Sequence, residues 1–230
     1  MGDWIAFWDS KHSIYVSGRH RDVHYRTIAQ DIRELLPPNT VVLDYGCGEA
    51  LSAEIVAAGM RRLILCEAAP KVRAVLAARF ADHATIEVRS PDEVAALPAA
   101  SLDAAILHSV AQYLSPDELD ALLALFRRLL RPGGLLVFGD IIPSDVSAAT
   151  DAMALLRFAG ANGFFVAALL GLARTVALTD YWRLRSNLGL TRYGEPDILA
   201  KLAAAGFTAQ RATKNIGHNP ARMTFLARSE

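Results

Sequence analysis

The sequence predicts an α/β fold built on a parallel sheet. Short apolar runs rich in strand formers alternate with helical stretches along the chain, the order that a parallel sheet covered by helices requires. The first such run, Val41-Val42-Leu43, ends on Asp44 and a Gly46-Cys47-Gly48 turn before a helix-compatible stretch from Leu51 to Ala58. At 230 residues, with 53% hydrophobic and 21% charged content, the chain is long and apolar enough to bury one core. A single domain over residues 1–230 is the expectation.

The elements follow in order. Asp22 to Leu36 reads as a leading helix, stopped by Pro37-Pro38. After the first strand and its turn, Arg62 to Cys66 is a second buried strand with Glu67 at its tip. Pro70 opens a helix to about Phe80, since proline suits a first helical turn. Thr85 to Val88 is a short third strand, followed by Ser90-Pro91-Asp92. Leu102 to His108 is the fourth strand. Ser115 caps a helix with an acidic first turn that runs to Leu130. Arg131-Pro132-Gly133-Gly134 then turns into a fifth strand ending near Asp140. Residues 143–193 lack strand signals. Glu195 to Ala205 is a helix ended by Gly206, and two strands, near Thr208–Ala212 and Arg222–Arg228, close the chain.

The glycine turn decides between ligands. A dinucleotide fingerprint wants a third glycine where Leu51 stands, and a pyrophosphate would be repelled by Asp44. A ligand carrying an ammonium and a sulfonium would be favoured there. An acid about 20 residues past such a turn is placed to accept hydrogen bonds from ribose hydroxyls, and Glu67 fills that position. The run from Leu43 to Glu49, with Glu67, Asp92 and the Leu129-to-Phe138 turn and strand in register, resembles class I S-adenosylmethionine-dependent methyltransferases. Ala50 stands where that family often has its last motif glycine.

The resemblance implies a three-layer sandwich with a seven-stranded, mostly parallel sheet, an antiparallel last strand and a helical lid insertion. It implies S-adenosylmethionine as cofactor and S-adenosylhomocysteine as product. Asp44, Gly46, Cys47, Gly48, Glu67, Ala68, Pro91, Asp92 and His108 are the cofactor-site residues it implies, with Asp92 holding the adenine edge. The family also leads one to expect that residues 1–36 form an arm and helix over the cleft, and that residues 143–194 are a substrate cap.

Both flanking segments have unusual composition. Trp4, Trp8, Tyr15, His20, His24 and Tyr25 crowd the arm, and aromatics with polar handles suit a surface that packs on a ligand and hydrogen-bonds it. Packing of the arm on the domain would explain them equally well. The i, i+4 pair His20 and His24 lacks a third ligand, so no metal is expected. Gly160 to Leu178 is strongly apolar and reads as a lid helix over an apolar pocket, with a helix on a membrane surface or a dimer interface as the rivals. Tyr15, Tyr113, Phe164, Tyr181 and Arg183 are the candidate acceptor-binding residues.

Methyl transfer from a sulfonium gains much of its rate from positioning, and an oxygen or nitrogen acceptor can also need a base. His108 and Asp140 at the strand tips are candidates. His20 and His24 are preferred, because an imidazole titrates near neutral pH and the arm is expected to close over the acceptor. The net charge of zero gives no footprint for a nucleic-acid backbone. The expected acceptor is therefore a small, apolar or aromatic molecule, with a lipid or quinone at a membrane surface, or cofactor binding without catalysis, as alternatives. The first residues show no signal-peptide pattern, so a cytoplasmic monomer or homodimer is expected, with peripheral membrane contact left open. Cys47 and Cys66 are expected to be free thiols.

Overall fold

A computed structural model of the chain describes residues 2–9, 15–177 and 190–230. Its centre is a seven-stranded sheet in the order β3-β2-β1-β4-β5-β7-β6. The strands are β1 (Val41–Tyr45), β2 (Arg62–Cys66), β3 (Ile86–Arg89), β4 (Leu102–His108), β5 (Leu130–Ile141), β6 (Phe207–Arg211) and β7 (Met223–Ser229). Pairings from β3 across to β5 are parallel, and β7 runs antiparallel to both β5 and β6. This is the α/β fold that the alternation of strands and helices predicts.

The pleat sorts the strand residues into two cores. Leu43, Ile64, Ala105 and Leu136 face one layer, built from α5 (Pro91–Ala95), α6 (Pro116–Leu129) and, as numbered here, α9 (Glu195–Ala204). Val42, Leu63, Ala104 and Val137 face the other, built from α2 (Gly18–Leu35), α3 (Ala53–Ala57) and α4 (Pro70–Arg79). Capping boxes at Ser90 and Ser115 start α5 and α6, each serine oxygen accepting from the backbone three residues on. All parallel strands consequently end at one edge of the sheet, where their connections gather.

Four elements differ from the expectation. Helix α2 starts earlier, at Gly18, because Ser17 accepts a hydrogen bond from His20 N–H and caps it. A short helix, α1 (Gly2–Trp8), forms in the arm. β5 starts at Leu130, which already pairs with Leu102 before the register shifts. The apolar stretch after residue 160 is not one helix: Gly163, at φ +73°, separates α7 (Ala148–Asn162) from α8 (Phe165–Ala177). Among the described residues no helix is long and apolar enough to cross a membrane.

Candidate active site

The β1 turn is shaped by hydrogen bonds from its own backbone. Gly46 N–H and Cys47 N–H both donate to the Cys66 carbonyl, at 2.8 and 3.2 Å, which curls the chain over the tip of β2. Gly46 sits at φ +77°, and a β-carbon there would lie 2.5 Å from a Val110 methyl, so glycine is required on two counts. Ala50 adopts φ +42°, the left-handed region that the missing glycine would have occupied without strain. Arg79 of α4 donates to the Glu49 and Ala50 carbonyls, at 2.9 and 2.7 Å, and holds the turn from outside. Tyr25 of α2 accepts from Glu49 N–H at 3.3 Å.

Two carboxylates stand above this turn. Glu67 accepts from Gly48 N–H at 2.9 Å and from Ala69 N–H at 2.7 Å, so its orientation is fixed while lone pairs remain. Burial raises its pKa and these backbone donors pull it back. Asp44 is pushed up to about 7 by burial, with the Glu67 charge adding to the effect, and no cation offsets them. Arg73 lowers Glu67, so it is at Asp44 that a cationic ligand would relieve the cost of burial. Cys47 and Cys66 are free, and burial raises both thiols above their ordinary range.

A cavity of about 500 Å³ runs along this sheet edge from Glu67 and Ala68, past Asp44 and Gly46, to His108, Ser109 and Asp140. The arm roofs it. Trp4 is buried with its ring centroid 4.5 Å from that of Tyr113, and both line the cavity. Asp9, at the end of α1, accepts from Lys71 N–H at 2.7 Å, an otherwise open donor in the first turn of α4. At the far end, Ser109 donates to Asp140 Oδ2 at 2.7 Å. His24 of α2 adjoins His108 at that end, while Tyr15 of the arm packs against Tyr25, which caps the glycine turn.

The structure brings Asp44, Gly46, Cys47, Gly48, Glu67, Ala68, His108, Tyr15, Tyr113 and His24 to one cavity. Asp92 lies exposed in the first turn of α5, and neither it nor Pro91 lines the cavity wall. Phe164 is a correction: it is buried between α7 and α8, stacked on His20 at 4.9 Å, and takes no part in the lining. The same packing removes His20 from the cavity. Both histidines were expected to titrate near neutrality, and the structure places them in surroundings that lower them. Burial, then the neighbouring His218, lowers His20 to about 4 and His24 to about 3, because a desolvated imidazolium is disfavoured. Tyr181 and Arg183 lie outside the described residues. Ser109 was missed, since a serine after a strand carries no signal of its own. Among the described residues no group of three or more His, Cys, Asp or Glu could hold a metal.

Residues 43–138 match a family model described as a methyltransferase domain. No curated protein matches the chain. Solved structures do. An amino pentose methyltransferase of Micromonospora echinaspora, involved in calicheamicin biosynthesis and solved with S-adenosylmethionine, is 16% identical. The match covers 100% of this chain and 97% of that one, with a TM-score of 0.59. A Burkholderia thailandensis didemethyltoxoflavin methyltransferase, solved with its substrate and S-adenosylhomocysteine, is 21% identical. It is covered over 80% of its length by 90% of this chain, with a TM-score of 0.54. An S-adenosylmethionine-dependent methyltransferase of Methanosarcina mazei is 14% identical, with 86% and 96% covered and a TM-score of 0.54. At these identities the likeness is one of fold.

Proposed function

We propose that this chain, whose residues 43–138 match a methyltransferase-domain model, is a class I S-adenosylmethionine-dependent enzyme that methylates the oxygen or nitrogen of a small acceptor with aromatic character. The observation that carries this reading is the continuous cavity. One end holds a glycine turn, the buried Glu67 and the half-buried Asp44, and the other end is roofed by Trp4 and Tyr113. Pockets of this size, about 300–1,000 Å³, enclose small molecules rather than polymers. The two enzymes above with named small-molecule chemistry, an amino pentose and a toxoflavin precursor, fit the same reading.

S-adenosylmethionine supplies an electrophilic methyl group whose sulfonium is a good leaving group. The chain's part is to bind and orient. Asp44 faces the positive amino-acid end, Gly46 and Gly48 let the backbone approach closely, and Glu67 takes the ribose hydroxyls. Asp92, expected at the adenine edge, stands outside the cavity lining and is left out of this assignment. Exclusion of water beneath the arm and alignment of the acceptor provide the rate, through proximity worth several kcal/mol.

Calorimetry tests the assignment. Glu67→Ala removes charge-assisted hydrogen bonds worth ~1.5–3 kcal/mol, so affinity for S-adenosylmethionine should fall roughly 10- to 150-fold in a protein that remains folded. Unchanged affinity would remove Glu67 from the site. Release of S-adenosylhomocysteine across an acceptor panel then separates an enzyme from a non-catalytic binder. One observation favours the membrane-surface alternative: Phe165, Val166, Leu169 and Leu170 are exposed on α8. Flotation with liposomes decides it, and a protein that stays at the bottom of the gradient excludes a lipid-bound acceptor.

A further inference from the structure

Ser109 and Asp140 are two residues without a glycine's freedom that both adopt left-handed backbone, at φ +57° and +61°. They sit at the tips of adjacent strands, directly after the paired His108 and Gly139. Backbone strain of this kind persists where surrounding structure imposes it, often at ligand clamps. Here it turns both side chains to each other and to the cavity. The Ser109 hydroxyl holds Asp140 Oδ2 at 2.7 Å and leaves Oδ1 available.

Two imidazoles share this end. His24 and His108 line the cavity, and among the described residues the Nδ1 atom of each is buried without a partner. An unpaired lone pair is cheaper to bury than an unpaired N–H. Each neutral ring therefore carries its proton on Nε2, which makes that nitrogen a donor. An acceptor carboxylate and two ring donors thus lie together at the end of the cavity opposite Glu67, beneath aromatic residues of the arm.

We infer that this end binds a planar heteroaromatic lactam, or a hydroxy or amino tautomer of one, which donates its N–H or O–H to Asp140 and accepts from the His24 and His108 rings. This rests on the methyltransferase reading and names the acceptor class for it. As the acceptor atom gains its methyl group, the proton it loses passes to Asp140 Oδ1. The electron pair of the broken S–C bond stays on sulfur. Asp140 is then the catalytic base, and Ser109 is a positioning residue.

The test uses the full chain saturated with S-adenosylhomocysteine, whose binding is measured first. A chain that takes up none fails the methyltransferase reading itself. Two pairs of probes follow, carbostyril against N-methylcarbostyril and 4-quinazolinone against 3-methyl-4-quinazolinone, each pair differing by one lactam N–H. In at least one pair the N–H member should bind at least about ten-fold tighter, because a site built for a donor rejects the analogue without it. Asn tolerates left-handed backbone well, so Asp140→Asn keeps the fold while offering an NH₂ where a carboxylate stood. In that variant the preference should shrink to within about two-fold, with affinity for S-adenosylhomocysteine retained. Ser109→Gly keeps the backbone angle, frees the carboxylate and should lose part of the preference. It carries the test should Asp140→Asn no longer bind S-adenosylhomocysteine. Binding of neither pair, equal binding within both, or an undiminished preference in the variant that retains S-adenosylhomocysteine would each overturn the inference while leaving cofactor binding intact.

Discussion

Asp44 shows how one residue can couple ligand binding to pH. Burial and the charge of Glu67 raise it from 3.8 to about 7, so in the ligand-free protein it holds a proton below that pH. A folded-state pKa above the unfolded one means that the folded chain binds more protons between 3.8 and 7. Stability therefore declines as pH rises through that window, and the penalty is complete above about 7. S-adenosylmethionine, which carries net positive charge, favours the ionised carboxylate and expels the proton. Its affinity should rise as pH climbs through about 7 and then level off, by up to ~10-fold per pH unit on the acid side. Calorimetry in two buffers of unlike ionisation heat would register proton release near pH 6 and little near pH 8. A flat affinity with no proton release would mean that Asp44 is already ionised in the empty site. The residues themselves were legible as an acid, two glycines and another acid at set distances. The φ of Ala50 and the depressed histidines were not, because both depend on what packs against them.

At the scale of elements, the arm lends a cap to a remote helix. Helix α4 has Ala69 at its cap position and no side-chain cap of its own, so Lys71 N–H would go unpaired. Asp9 supplies the missing carboxylate from a remote segment and adds an ion pair to Lys71 Nζ at 3.5 Å. Caps of this kind contribute roughly 0.5–2 kcal/mol, and a carboxylate at a helix start also meets the helix dipole favourably. Asp9→Ala should therefore loosen α1 far more than the sheet. Stopped-flow tryptophan fluorescence should show S-adenosylhomocysteine leaving about 2- to 30-fold faster, with a nearly unchanged melting temperature. Equal release rates would show that α1 does not gate the cavity. Strands β1 to β5 were readable because each is a short apolar run closed by a turn residue. The break at Gly163 was not, since the residues on both sides are equally apolar and periodicity does not register one residue at φ +73°.

Across the whole molecule, local patterns gave the layers but not the meeting of distant segments. His24 and His218 stand 5.7 Å apart by ring centroid yet are far apart in sequence, and their shared burial lowers both. Phe164 looked like a pocket wall because its neighbours are apolar, and only the packing of α7 on α8 assigns it to a separate small core. The placement of Trp4 on Tyr113 and of Asp9 on Lys71 has a consequence for turnover. The arm touches the domain at Tyr113 and at Lys71, and the expectation is that both ligands leave past it, the later arrival first. A molecule of acceptor that enters before the spent cofactor has departed shuts it in. The rate should then pass through a maximum and fall as acceptor concentration grows, and Asp9→Ala should move that maximum upward. A hyperbolic curve in both proteins would mean that each ligand has its own way out.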